Sequence, residues 1–341
     1  MAERIAWVDF AKGLVIILVV LGHVILPSLL QNFIFVFHMP FFFVMAGYLL
    51  NFEKWGGAEN YKAFATKLVK RLLVPYYLAE ILFYPIWFVV CHEAGHLPYM
   101  WNWTEVSPLR VFVTAIIGNA NGIGFVLGPL WFLPCLLVAE IIFIQLYNRL
   151  NKIGEDVFIC AIIFCSLLGL LIGKIHALPL GADIALAAQI FLLAGVLIRE
   201  YNFVERLNLK IFGGLNLLLV IAFCINLRVD MNFRTYGDAF LFYAGGLAGT
   251  LILMKISALM TGGKIFSLIS DCGRQSMMIL ILHPITANIF YEIIVDGFNF
   301  SAEKIFSEPT IIFGVTVTGV LIPLFIAKKF GKLPVLKYFC V

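Results

Sequence analysis

Three ionisable side chains interrupt the first apolar run of the chain, DFAKGLVIILVVLGH: Asp9, Lys12 and His23. At about 100° per residue, Lys12 and His23 return to within about 20° of the same helix face, and Asp9 falls about 40° from His23. The rise from Lys12 to His23 is about 16 Å, three turns. Asp9 and Lys12 stand at i,i+3 and can pair. The stripe therefore reads as a charge clamp at one end and an imidazole well inside the apolar run. Imidazole titrates near neutral pH, which suits a general base or a proton shuttle. Each residue also has a plainer reading: Lys12 can snorkel to an interface, and His23 can be a helix-packing histidine with its polar atoms satisfied.

The same kind of exception recurs in three more apolar segments. FVFHMPFFFVMAGY places His38 two residues before Pro40, at a depth expected to match His23 on a neighbouring helix. GPLWFLP opens a helix at Gly128-Pro129 and carries a further proline at Pro134. Such a broken end is tolerated at membrane depth where it lines a cavity, so Trp131 is either a cavity wall or an interfacial anchor. GRQSMMILILHP carries Arg274, then Ser276 and His283 seven residues apart and so on one helix face. Glu80, Glu140 and Glu292 also lie within or at the ends of apolar runs; they read as structural hydrogen-bond partners and rank below the histidines.

What must position these residues is a membrane bundle. Of 341 residues, 62% are hydrophobic and only 13% charged, and mean hydropathy is +1.00. A soluble domain carries roughly 25% charged residues, so lipid must be the solvent for most of the chain. That excludes a soluble enzyme, a nucleic-acid binder and a disordered protein. A spanning helix needs about 20 mostly apolar residues. On that ruler, spans are expected near 10–30, 32–50, 74–91, 128–147, 157–173, 182–198, 211–227, 239–258, 274–295 and 310–327. The fold class is thus all-α, a polytopic transmembrane helical bundle of about ten spans. It forms a single domain over 1–341, polytopic from its first helix because no small-x-small cleavage site follows the first run.

Orientation follows from the cations. With the first end inside, Arg110, Lys174, Arg228, Arg234 and Lys304 fall outside, and the remainder of the 24 lysines and arginines fall at cytoplasmic positions. Positive charge favours the inside of such loops, so both termini are expected to be cytoplasmic. Residues 51–73 hold Lys54, Lys62, Lys67, Lys70 and Arg71, interleaved with Tyr61, Phe64, Leu68 and Leu72 at helical spacing. This segment reads as a basic amphipathic helix on the cytoplasmic face, binding either headgroups or an anionic cofactor. The longest outer loop, 92–127, holds His92, His96, Trp101, Trp103 and Asn119. Seven cysteines without CxxC or Cys/His spacing suggest neither zinc nor disulfides.

Taken together, these segments resemble the acyltransferase-3 family of integral membrane acyltransferases, nearest its fucose 4-O-acetylase-like branch. The matching pieces, in order, are D-x-x-K-G and K-x10-H at Asp9, Lys12, Gly13 and His23; F-x-F-H-M-P-x-F-F from Phe35 to Phe43; G-x-L-W-F-L from Gly128 to Leu133; and G-R-x-S…H from Gly273 to His283. One departure is Ala46-Gly47, where many members have Ser-Gly. The resemblance implies transfer of an acyl group, usually acetyl from cytoplasmic acetyl-CoA, to a hydroxyl of a cell-surface glycan or its lipid-linked precursor. A bacterial cytoplasmic (inner) membrane is the location that fits. The resemblance makes His23 the essential histidine and general base, with His38 and Asp9 beside it as catalytic candidates. Lys12, Arg71 and Arg274 become the candidates for acetyl-CoA, and Trp131, Ser276 and His283 those for the acceptor. No metal and no nucleic-acid partner is expected. The competing class is a multi-pass transporter or flippase using buried histidines as a proton relay. Against it, no broken-helix pair repeats in corresponding halves of the chain.

Overall fold

Without water, backbone polar groups must be satisfied inside the chain, and the described residues of the computed structural model are mostly helical. It describes residues 5–24, 26–89, 107–118, 128–226, 228–298 and 308–340. Among these the β-type pairing is one isolated bridge, Asp230 with Thr235. The helices are α1 (Ala6–His23), α2 (Ser28–Leu49), α3 (Tyr61–Leu68), α4 (Val74–Trp87), α5 (Pro108–Ile117), α6 (Phe132–Leu150), α7 (Glu155–Ile175), α8 (Ala182–Ala187) and α9 (Gln189–Glu200). They continue as α10 (Leu209–Ile225), α11 (Ala239–Leu259), α12 (Gly263–Arg274), α13 (Ser276–Phe298) and α14 (Pro309–Phe330). The expected all-α polytopic bundle is what forms.

Among the described residues, seven helices are individually long and apolar enough to cross a membrane, and a bent pair raises that to eight. The pair joins α8 to α9 at an angle of 53°. Side chains mend the break: Ser166 Oγ accepts from the Ile190 amide at 3.0 Å, and Gln189 Nε2 donates to the Ala185 carbonyl at 2.7 Å. The two other expected spans coincide with α4 and α10, which are shorter. α4 gains its length from the basic segment before it. α3, a π-turn at Val69–Leu73 and α4 follow without a gap, and Phe64, Leu68 and Leu72 are buried in the core. The basic segment therefore enters the bundle along its apolar stripe. Of the long loop 92–127, α5 is described, while His92, His96, Trp101, Trp103 and Asn119 lie outside the described residues.

Two close crossings set the geometry. A Cβ on Gly13 would lie 1.8 Å from the Ile269 carbonyl oxygen, and one on Gly273 would lie 1.8 Å from that of Asp9. α1 and α12 thus touch backbone to backbone. α2 and α9 do the same at Gly47 and Gly195, where a Cβ would come within 2.0 Å of the Leu192 and Val44 oxygens. Small residues at crossings let dispersion act over a long contact, the main attraction left between helices in lipid. At one end of the bundle these contacts are joined by polar clamps. Arg274 reaches Asp9 at 3.7 Å and also pairs with Asp271, which Lys328 binds in turn. Arg199 donates to the carbonyls of Tyr48, at 3.0 Å, and Leu50. We call this the basic end.

The opposite end carries a buried ion pair that spacing did not reveal. Arg234 donates through Nε to Asp183 Oδ2 at 2.8 Å and through Nη2 to Oδ1 at 3.2 Å, and both side chains are almost fully enclosed. Each looks like a loop charge in the sequence. The same loop, between α10 and α11, holds Asp230, whose Oδ1 accepts from the Asn232 amide at 3.0 Å. Burial pushes its carboxyl up to about 6.

Two outcomes follow from this packing. Gly13→Leu should lower the thermal stability of the detergent-solubilised protein by the equivalent of about 1–3 kcal/mol, whereas Gly214→Ala, with nothing within 4 Å, should leave it unchanged or slightly raised. Asp230→Asn keeps the oxygen that accepts the turn amides and removes the charge. A raised folded-state pKa means that native stability falls as pH rises from about 4 through 6. The melting temperature of the variant should therefore exceed wild type at pH 7.5, and the gap should close toward pH 4.5.

Candidate active site

Three imidazoles meet in the middle of the bundle. α1 ends on His23, α2 contributes His38 and α13 contributes His283. The ring of His23 lies 6.4 Å from that of His38 and 5.6 Å from that of His283, centroid to centroid, both edge to face. Phe35 covers one side, 4.6 Å from His38 and 5.9 Å from His23. His38 and His283 are buried, and His23 is partly open. A Cβ on Gly319, midway along α14, would lie 3.7 Å from that of His283, which places the cluster at mid-depth.

Each ring is held by the same device. Nδ1 of His23, His38 and His283 lies 2.7, 3.0 and 3.0 Å from the carbonyl oxygen four residues earlier, on Val19, Ile34 and Ile279. A carbonyl can only accept, so in each neutral ring Nδ1 carries the proton and Nε2 presents a lone pair. Nε2 of His283 has no partner among the described residues. The cluster therefore offers proton acceptors, and His23 is the most accessible of them. Although three imidazoles converge, no group of His, Cys, Asp and Glu among the described residues is arranged to hold a metal ion.

A cavity of about 190 Å³ rises toward this cluster from the basic end. Its rim carries Lys12, Lys67, Arg71, Glu140 and Trp55. Apolar walls follow, built from Ile16, Met39, Phe42, Ala46, Phe132, Leu133 and Leu136. It closes on Val19 and Leu280, one turn short of His23 and His283. Ser276 lies on its wall below His283, on the same face of α13. Ala46, where a serine was the commoner expectation, faces this space.

The rim is shaped by the π-turn. Such a turn inserts a residue into the helix and re-aims its side chains, often at functional sites. Here Arg71 reaches Glu140 on α6; the carboxylate is 5% exposed and the guanidinium 32%. Trp55 is flanked by Lys54 and Lys67, whose ammonium groups lie 4.9 and 5.0 Å from its ring centre. Lys67 itself has a lowered pKa, chiefly from burial and the neighbouring Arg71.

The expected residues thus divide. His23, His38 and His283 come together, and Lys12, Arg71 and Ser276 share the cavity beside them. Arg274 and Asp9 come together elsewhere, outside the cavity lining, about 21 Å of helix from His23. Trp131 is buried edge-on to Phe132, 6.2 Å away, in the turn before α6; Phe132 and Leu133, not Trp131, face the cavity. Glu140, Trp55 and Lys67 join the site, and spacing alone had not singled them out. Lys67 and Arg71 at i,i+4 were the available signal.

The family model for the acyltransferase domain matches residues 5–328, so the chain belongs to the acyltransferase-3 family. It is an integral membrane acyltransferase, with its histidine cluster and cavity inside the family domain. No curated protein and no solved structure matches the chain.

The Arg71–Glu140 pair makes a separable prediction. Arg71→Ala leaves a buried carboxylate uncompensated and should destabilise by about 1–3 kcal/mol, less than a fully enclosed pair because Arg71 stays partly solvated. Glu140→Gln in the same chain should recover most of that loss in thermal unfolding.

Proposed function

We propose that this acyltransferase moves an acetyl group from cytoplasmic acetyl-CoA to a hydroxyl of a cell-surface glycan or its lipid-linked precursor, with His23 as general base. The observation that carries the reading is the convergence of the imidazoles just beyond a narrow apolar cavity with a basic rim. Phosphates suit the rim, and an uncharged pantetheine arm suits the walls. The three turns between Lys12 and His23, about 16 Å, fit an extended thiol arm. The excess of cations at one end of the helices supports placing that end in the cytoplasm of a bacterial cell, at its inner membrane.

In this reaction His23 Nε2 takes the proton of the acceptor hydroxyl as its oxygen attacks the thioester carbonyl. The tetrahedral intermediate collapses with cleavage of the C–S bond. The thiolate leaves and recovers the proton from the imidazolium, giving the O-acetyl ester and free CoA. His38 and His283, presenting lone pairs, accept hydrogen bonds from the acceptor's hydroxyl groups and orient them toward His23. The enclosing phenylalanines and valines exclude water, which would otherwise hydrolyse the thioester. Asp9 and Arg274 act on this site only through the packing of α1 against α12.

His23→Ala should abolish incorporation of labelled acetyl from acetyl-CoA into membrane glycan while the amount of folded protein is unchanged; retained activity overturns the assignment. Lys12→Ala should raise the donor KM about tenfold with kcat little altered, the signature of lost ground-state binding. Solute uptake without incorporation would favour the transporter reading.

A further inference from the structure

A second concavity opens beside the cavity at the basic end. It is a groove of about 900 Å³ lined by Lys62, Lys67 and Lys70 of the α3 helix and π-turn, by Arg71, and by Lys337 and Tyr338 from beyond α14, with Glu59 among the lining side chains. Lys67 and Arg71 line both spaces, so one elongated molecule can occupy the two. The C-terminal wall lies past residue 328, where the family match ends. It is nevertheless held in place: the turn Leu336–Tyr338 is followed by Phe339, 1% exposed and part of the main core. Tyr338 is 42% exposed, and the Lys337 ammonium lies 5.2 Å from its ring centre. The groove thus combines clustered ammonium groups with an open aromatic face.

We propose that this groove holds the phosphorylated nucleotide end of the acyl donor, while the adjoining cavity holds its thioester arm. The inference rests on the acetyl-CoA reading above and adds a site to it. Lysines 62, 70 and 337 meet the phosphates as point charges, and Tyr338 offers a stacking face to the base, a contact that every base can make through its π-face. A lipid headgroup shares the phosphate chemistry. It needs neither the aromatic face nor continuity with a cavity leading to the imidazoles.

The test compares two donors on the full-length protein in zwitterionic nanodiscs: acetyl-CoA, and S-acetylpantetheine, which lacks the nucleotide. In the Lys62→Glu/Lys337→Glu variant, whose substituted side chains are exposed, the KM for acetyl-CoA should rise about tenfold relative to that for S-acetylpantetheine. Tyr338→Ala should shift the same ratio in the same direction by a smaller factor. An unchanged ratio overturns the proposal. So does a shift that appears only when anionic lipid is added to the nanodisc, which would mark a headgroup site. If the wild-type protein transfers acetyl from neither donor, the acetyl-CoA reading falls and takes this inference with it; wild-type transfer with an unchanged ratio rejects the groove alone.

Discussion

The contact on which the site depends is the backbone-to-backbone approach of α1 and α12 at Gly13 and Gly273. α1 carries Lys12 and His23; α12 leads directly into α13, which carries Ser276 and His283. His23 lies ten residues beyond Gly13, and His283 lies ten residues beyond Gly273. Helices running the same way rise about 15 Å over that interval, so pinning the glycines together puts the two imidazoles at one depth. Their centroids are 5.6 Å apart. A side chain at either glycine would separate the helices and slide one histidine past the other. The clamp of Arg274 between Asp9 and Asp271 sits at the same crossing and resists that slide. Asp9 therefore matters to the site although it is distant from it.

The absence of water explains the second regularity. An imidazole carried into lipid has two nitrogens to satisfy, and each ring solves one of them on its own helix, with the carbonyl four residues earlier. The local bond fixes the tautomer and the ring plane without help from another helix. It leaves Nε2 as the reactive atom of every ring. Leaving such an atom unpartnered in a buried site carries a desolvation penalty, and the unpaired Nε2 of His283 is therefore an acceptor awaiting a donor. Hydroxyl groups are donors of the right kind.

Much of this was legible in one dimension because helical geometry is periodic. The eleven-residue step from Lys12 to His23 and the seven-residue step from Ser276 to His283 each return to one face, and both pairs lie along the same path through the bundle. Apolar length and the sorting of cations conveyed the class of fold. Other features were hidden for physical reasons. Arg234 and Asp183 are 51 residues apart, and only tertiary closure turns a loop arginine and an aspartate in the first turn of α8 into an enclosed pair. Glu140 gains its partner through a π-turn, a local change of helical period that spacing arguments at 3.6 residues per turn do not anticipate. In the sequence the basic segment reads as an amphipathic helix on the cytoplasmic face. Its stripe of Phe64, Leu68 and Leu72 is buried against the bundle, and the segment runs on into α4; periodicity shows the stripe but not what covers it.

The polarity of the histidine cluster limits how the proposed reaction can be arranged. With Nδ1 committed to carbonyls, three neutral rings can receive protons but cannot donate through Nε2 to a developing oxyanion. A transition state of acyl transfer needs donors aimed at that oxygen. Lys12 and Arg71 lie on the cavity rim, three turns below in the case of Lys12, too far to serve a carbonyl held beside His23. In the proposed reaction a ring that has taken up a proton can serve as that donor. In that scheme His23 becomes an imidazolium on accepting the hydroxyl proton, and its Nε2–H is then available to the developing oxyanion. One residue then supplies the base for attack and the donor for the intermediate. The placement of His23, the most accessible of the three, at the end of α1 where the helix stops suits that scheme.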